Sequence, residues 1–260
     1  MDTDVLFEDP CTAEETLRIL KDKNIPLKIR RFISYRRVPE MDGSLKFTML
    51  SPFVLRGPEE DKYRRMIESE RPDSIMVRNM EELGFLLSIG YEGTIIADAH
   101  LYSFNSESGE TLRTLGVSED TVPYELNIHE IRERGCEGSV LVIYGRTPLM
   151  ISVQCVKKTE SGKCMKTSGG FLTTLKDRKN TVFPVRAECD HCYNIIYNSV
   201  PLCLFKDIQD IERLGLDAVR IDITTESPDE ASDIIYSFCY GDPGKAVKEY
   251  TRGHFRKGVD

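Results

Sequence analysis

The sequence has no long apolar run. Its most hydrophobic stretch, 139–156, is broken by Arg146, Thr147 and Pro148 and is too short to span a bilayer. The first residues, Met1-Asp2-Thr3-Asp4, are acidic and contain neither the basic region nor the apolar core of a secretory signal. A cytoplasmic protein with no membrane partner is expected. In that compartment the eight cysteines should be thiols or metal ligands rather than disulfides. An excess of positive charge is also missing, and the formal charge of −8 argues against a protein that coats nucleic acid. There is no Gly-x-Ser-x-Gly elbow, no His-Glu-x-x-His helix and no Gly-rich phosphate loop after any candidate strand. The four histidines, His100, His129, His191 and His254, show no spacing that favours a Cys–His or Ser–His pair. Hydrolytic machinery is poorly represented.

What the chain does carry is a cluster of thiols. Cys155, Cys164, Cys189 and Cys192 fall within 38 residues, the last two in a Cys-Asp-His-Cys turn. Such a turn presents two thiolates to one inorganic centre, and the wider pair before it can supply two more. Both a tetrahedral zinc and a 4Fe–4S cluster accept four thiolates. A zinc ribbon usually uses two Cys-x-x-Cys knuckles, so a single knuckle plus a wider pair after the apolar segment 149–154 fits a cluster better. The competing reading is four unrelated buried thiols, since a cysteine is often only a small hydrophobe. His191 reads as a neighbour of the centre, Cys203 as a reserve ligand, and Cys11, Cys136 and Cys239 as core residues.

Between residues 140 and 186 nine basic side chains stand against Glu160 and Asp177 alone, a basic island in an acidic chain. It is either a solvated loop that offsets the negative charge of a thiolate centre or a surface for phosphate or a dianionic small molecule.

Along the chain, apolar runs at 73–78, 94–98, 121–125 and 139–144 alternate with helix-like stretches at 80–90, 106–116 and 127–138, each ending in glycine. Continuous β-branched runs suggest strands buried on both faces, and repeats of this length indicate serial βα units. Earlier strands are predicted at 5–8 and 27–33 around a helix capped by Thr12, and later ones at 197–204 and 218–223, with a closing helix over 229–240. Seven or eight strands in all predict an α/β protein of the TIM-like (β/α)8 barrel class. The first strand begins almost at Met1, so the barrel is expected to lack its first βα unit or units and the chain to be a piece of a longer protein. The expected division is 1–154 for barrel units, 155–194 for a cysteine-bearing insertion that holds the metal or cluster, and 195–260 for the final strand or strands, closing helix and tail.

Active-site residues of such barrels project from the C-terminal ends of strands. Those positions hold Arg78, Asn79, Asp98 with His100 nearby, Glu125, Asn127, Tyr144, Arg146 and Asp222. Asn79 and Asn127 suit helix caps. Asp98 and Glu125 are the candidate proton-transfer residues, and Arg146, Arg78 and Arg178 the candidates for holding substrate anions.

The segments Tyr144-Gly-Arg-Thr-Pro-Leu-Met-Ile-Ser-Val-Gln-Cys155, Cys189-Asp-His-Cys-Tyr-Asn-Ile-Ile-Tyr-Asn-Ser199 and Thr251-Arg-Gly-His-Phe-Arg-Lys-Gly258 resemble the collagenase-like peptidase family U-thirty-two. The resemblance extends over roughly 69–260 and is strongest to the second barrel-like region of the long bacterial members. It implies that Cys155, Cys164, Cys189 and Cys192 stand at cluster-ligand positions. It further implies either the collagenase-like protease activity of the family's label or, as in relatives that resemble iron–sulfur hydroxylases, hydroxylation of RNA or a small aromatic substrate with prephenate as co-substrate. A non-catalytic, metal-stapled module paired with another barrel half or protein subunit is a third expectation.

Overall fold

The structure, a computed structural model, describes residues 1–25, 29–41, 43, 45–164, 169–240 and 247–258. The predicted strand at 27–33 therefore lies partly outside the described residues. The short apolar runs become β1 (Thr3–Phe7), β2 (Arg31–Ser34), β3 (Lys46–Leu50), β4 (Ser74–Val77), β5 (Thr94–Ala97), β6 (Val117–Thr121) and β7 (Ser139–Gly145). An excursion with β8 (Pro148–Ser152), β9 (Phe171–Lys176), β10 (Val182–Glu188) and β11 (Tyr193–Tyr197) then precedes β12 (Leu202–Cys203) and β13 (Ala218–Ile223). Parallel pairing runs β7-β13-β1-β2-β3-β4-β5-β6, and β6 returns to β7 through Asp120–Ser139 and Thr121–Val140. This is a closed, eight-stranded TIM-like α/β barrel.

The expected shortage of an opening unit is thereby corrected. Lys46–Leu50 supplies a ring strand, and α2 (Gly57–Glu70) follows it, in a segment whose polar flanks hide the βα rhythm. The predicted strand at 197–204 contributes only β12, which pairs antiparallel with β7 and stays outside the ring.

The other helices are α1 (Pro10–Asp22), α3 (Met80–Ser88), α4 (Ser106–Thr114), α5 (Ile128–Arg134), α6 (Val156–Ser161), α7 (Ile208–Glu212) and α8 (Pro228–Tyr240). α1 is capped by Asp9 rather than Thr12. Its carboxylate accepts from the Thr12 amide and hydroxyl at 2.9 and 2.8 Å, and Pro10 presets the first helical φ. Among the described residues no helix is long and apolar enough to cross a membrane.

Strand alternation divides the core into two parts. Val5, Phe7, Phe32, Phe47, Ile75 and Val219 point outward and pack with Leu17, Tyr63, Leu83 and Ile234 of the helices. Leu6, Ile33, Leu50, Met76 and Ile96 point inward and fill the middle of the barrel. Below them, Arg30 pairs with Asp4 at 2.6 Å and Glu119 at 2.9 Å and plugs the N-terminal end. One glycine is needed where the ring closes. Gly145 has φ +144, and a Cβ there would lie 2.7 Å from the Asp222 Cβ and 2.8 Å from its carbonyl. Gly145→Ala should cost about 2 kcal/mol or more in urea unfolding, since this backbone region is almost closed to other residues.

β8 to β11 form a separate antiparallel sheet in the order β8-β11-β10-β9. Its inner face presents Ile151, Tyr193, Ile195 and Tyr197, which pack on Phe53 and Val54 from the loop after β3. The Phe53 amide donates to the Tyr193 hydroxyl at 3.1 Å, and Arg186 pairs with Asp9 at 3.3 Å. The sheet is thus a lid on the C-terminal mouth. It takes in Pro148–Ser152 and Tyr193–Tyr197, so the excursion is wider than the 155–194 expected.

Candidate functional site: the barrel mouth and the thiol cavity

Inward-facing positions at the strand ends are polar, and they converge because the ring is closed. Glu8 follows β1, Tyr35 follows β2, Arg78 follows β4, Asp98 follows β5, and Arg220 and Asp222 lie on β13. All but Tyr35 are less than a tenth exposed, so each charge needs a partner. Arg220 donates to Asp98 at 2.8 Å, to Asp222 at 2.6 and 2.9 Å and to the Thr121 hydroxyl at 3.1 Å. Arg78 pairs with Glu8, approaches Asp98 at 3.6 Å, donates to the Tyr35 hydroxyl at 3.0 Å and lies 4.1 Å from the centre of the Phe53 ring.

The two aspartates diverge around their shared arginine. Burial opposes the charge of Asp98, but Arg220, His100 and Arg78 outweigh it and hold the carboxyl well below the usual range. At Asp222 burial wins over Arg220, helped by repulsion from Asp98 and Glu8, and the carboxyl is raised. Asp98 therefore stays an anion, and it accepts a hydrogen bond from His100 Nδ1 at 3.1 Å. The imidazole stands edge-on to Phe53, ring centres 4.8 Å apart, and 6.1 Å from Tyr124.

Of the sequence-predicted residues, Asp98 and Arg78 enter this network. Glu125 does not: it is half-buried in the loop after β6, outside the arginine cluster. Arg146 is spent on structure, donating to the Asn198 and Ser199 carbonyls and the Thr225 hydroxyl. Arg178 is exposed on the turn between β9 and β10. Asn79 and Asn127 are helix caps, as expected. His100 lies beside Asp98, as its sequence position implies, whereas Glu8, Tyr35 and Arg220 join the network from positions outside the expected set. An arginine and an aspartate two residues apart in an otherwise apolar strand, Arg220 and Asp222, were the available signal, because that spacing puts both inside the ring.

Cys155, Cys164, Cys189 and Cys192 line one cavity of about 610 Å³, together with Lys158, Glu188, Tyr193 and Asn194. Cys155 stands at the N-cap position of α6, Cys189 follows β10, and Cys192 sits in the left-handed region at φ +53, which turns its thiol back toward the Cys189 carbonyl at 3.8 Å. The Asn194 amide donates to the Ser152 and Gln154 carbonyls at 3.1 and 2.9 Å and so fixes the approach to Cys155. Glu188 pairs with Arg186, and burial raises its carboxyl to about 7 despite that partner. Among the described residues no three His, Cys, Asp or Glu side chains stand close enough to grip a single ion. His191 turns away to Glu59 of α2 at 3.3 Å. Cys203 is buried on β12 and does not line the cavity; Cys136 is buried, whereas Cys11 is exposed rather than in the core.

The chain is similar in structure to the U32 peptidase Mk0906. The likeness covers 88% of this chain and 95% of that one, at 14% identity and a TM-score of 0.45. The spore cortex-lytic enzyme SleL of Bacillus megaterium QM B1551 is also similar, over 96% of this chain and 75% of its own, at 8% identity and a TM-score of 0.40. No protein family matches the sequence, and no curated protein is similar to it. The closed strand pairing of the chain by itself defines the barrel.

The mouth has a pH signature. The Arg78 amide donates to Glu82 Oε2 at 2.8 Å, Oε1 is buried without a partner, and burial raises this carboxyl to about 8. Unfolded, Glu82 ionises near its ordinary 4.5, so between these values the folded state holds the extra proton. Its stabilising contribution is complete below that window and is lost as pH rises through it. Glu82→Gln keeps an acceptor for the amide and should flatten the decline by up to roughly 1 kcal/mol per pH unit, read from urea unfolding across the window.

Proposed function

We propose that the chain is an iron–sulfur barrel enzyme that hydroxylates RNA or a small aromatic substrate, with Cys155, Cys164, Cys189 and Cys192 as ligands of a 4Fe–4S cluster. One observation carries this reading: the four thiols line a single cavity whose wall includes Glu188 and Tyr193, residues of the sheet that covers the barrel mouth. The donor set fits such a group. A tetrahedral zinc with bonds of about 2.3 Å draws its sulfurs to within about 4 Å of one another. Among the described residues no three of these side chains stand close enough to grip one ion, which suits a larger, multi-iron core better. Bound there, the cluster would supply one-electron redox chemistry.

The chain's own residues supply the rest. Asp98 is kept ionised by Arg220 and orients His100 through Nδ1, which leaves the other ring nitrogen to take or give a substrate proton. Phe53 and Tyr124 flank that imidazole and favour an aromatic ring, whether a nucleobase or a small molecule. The mouth arginines already face carboxylates, so substrate anions fall to the exposed cations of the lid instead.

Collagenase-like proteolysis, the activity in the name of the similar peptidase, has less behind it. Among the described residues no serine, threonine or cysteine side chain is hydrogen-bonded to His100. Protein purified without oxygen should be brown and hold about four irons per chain. A colourless product with one zinc overturns the cluster. Gelatin cleavage by pure protein that survives iron chelation overturns the hydroxylase.

A further inference from the structure

The outer face of the lid is apolar. Cross-strand register places Met150, Ile196, Val185 and Thr173 in one row and Phe183 beside Leu175 in the next, all opposite to the face that meets the barrel. Met150 is 57% exposed, Leu175 40% and nearby Val153 61%, whereas Val185 is fully buried and Ile196 and Phe183 are half-buried. Along this face runs a groove of about 710 Å³ between α6 and β9, lined mostly by polar side chains such as Ser152, Lys157, Glu160 and Thr173, with Val156 and Leu175 as its apolar ones. Gln154 and Thr159 line both this groove and the thiol cavity. Groove and cavity are therefore the two sides of one short helix.

Cations flank the groove rather than line it, apart from Lys157. Lys176, Arg178 and Lys179 crowd the exposed turn between β9 and β10, next to Leu175 of the groove, while Lys158 lies on the cavity side of α6 and Lys163 just after it. Lys157 is paired with Glu160 at 3.0 Å, whereas among the described residues no carboxylate reaches the other five. Exposed aliphatic side chains beside a cluster of unpaired cations match a protein partner with an acidic face. The most exposed side chains here, Met150, Val153 and Leu175, are aliphatic, whereas a surface that grips single-stranded RNA stacks bases on aromatic rings. A protein is favoured over RNA on that ground.

We propose that this groove docks a small acidic electron-carrier protein, which delivers electrons across α6 to the thiol cavity. The proposal rests on the iron–sulfur reading of that cavity. In each delivery the reduced carrier would give up one electron and become oxidised, the electron passing to the cluster that Cys155, Cys164, Cys189 and Cys192 would hold. No bond forms or breaks and no proton moves.

The test measures binding of oxidised flavodoxin, a small acidic carrier, to the full chain purified without oxygen, with iron determined on the same samples. Binding should weaken as ionic strength rises. It should fall at least about tenfold in Lys176→Glu/Arg178→Glu/Lys179→Glu, and separately in Met150→Asp, while iron content stays unchanged. Iron-loaded protein that ignores flavodoxin, or binds both variants as well as the parent, overturns the docking site and leaves the cluster standing. Preferential binding of poly(U), or self-association through the same face on sedimentation, overturns it in favour of RNA or a second copy. Flavodoxin binding by protein that carries no iron overturns the electron-delivery role through its premise, and the iron analysis distinguishes that case.

Discussion

Replacing Arg220 with leucine should lower the unfolding free energy by about 3–5 kcal/mol, the usual effect of removing one side of a buried ion cluster. The guanidinium is 1% exposed and holds Asp98, Asp222 and Thr121 together inside the ring. Leucine fills part of the volume but leaves two carboxylates facing each other in a low dielectric with one cation withdrawn. Arg220→Lys should recover little, because a single ammonium cannot reproduce the bidentate grip on Asp222 while reaching Asp98. The triple variant Arg220→Leu/Asp98→Asn/Asp222→Asn should regain most of the loss, since it removes the stranded charges as well. Urea unfolding of the four proteins decides the matter, and a single variant as stable as the parent would show that the cluster does not hold the mouth together.

Cys189→Ser/Cys192→Ser is expected to abolish nearly all iron binding and the visible colour of protein purified without oxygen. Two of four ligands disappear at the one tight turn that presents them together. The far-ultraviolet circular dichroism should change little. The lid is anchored by Tyr193, Ile195 and Tyr197 on Phe53, contacts in which neither sulfur takes part. Cys11→Ser and Cys203→Ser serve as controls: one thiol is exposed on α1 and the other buried on β12, and neither lines the cavity. Iron retained by the double variant, or lost equally from a control, would dissociate the metal from this cavity.

Much of the ring was legible because parallel barrel strands are buried on both faces and so read as unbroken apolar runs. Ser74–Val77, Thr94–Ala97 and Ser139–Gly145 lie where the pattern put them. β3 escaped notice because Lys46–Leu50 mixes a lysine and a threonine into its run, and its inward Thr48 bonds to Ser74 at 2.6 Å rather than packing in grease. That Cys189 and Cys192 share a cavity was legible from spacing, since a tight turn binds sequence neighbours into spatial neighbours; that Cys155 and Cys164 join them depends on the fold of the lid. The partners of Arg146 were hidden for the opposite reason. Its position near a strand end is real, but the carbonyls of Asn198 and Ser199 that claim it arrive from a loop some fifty residues away. Such long-range capture leaves no local trace, and the same holds for the partnership of Glu8 with Arg78.

The lid leaves the barrel at Pro148 and rejoins it after Tyr197, and these two residues are themselves paired across β8 and β11. The cassette therefore hangs from a single doorway beside β7, with all four thiols on its far side from that hinge. Joining the two ends would span little distance and would disturb no ring hydrogen bond. An ancestral scaffold could gain or shed this whole sulfur-bearing appendage in one genetic step, and the eight-stranded ring beneath would keep its register either way.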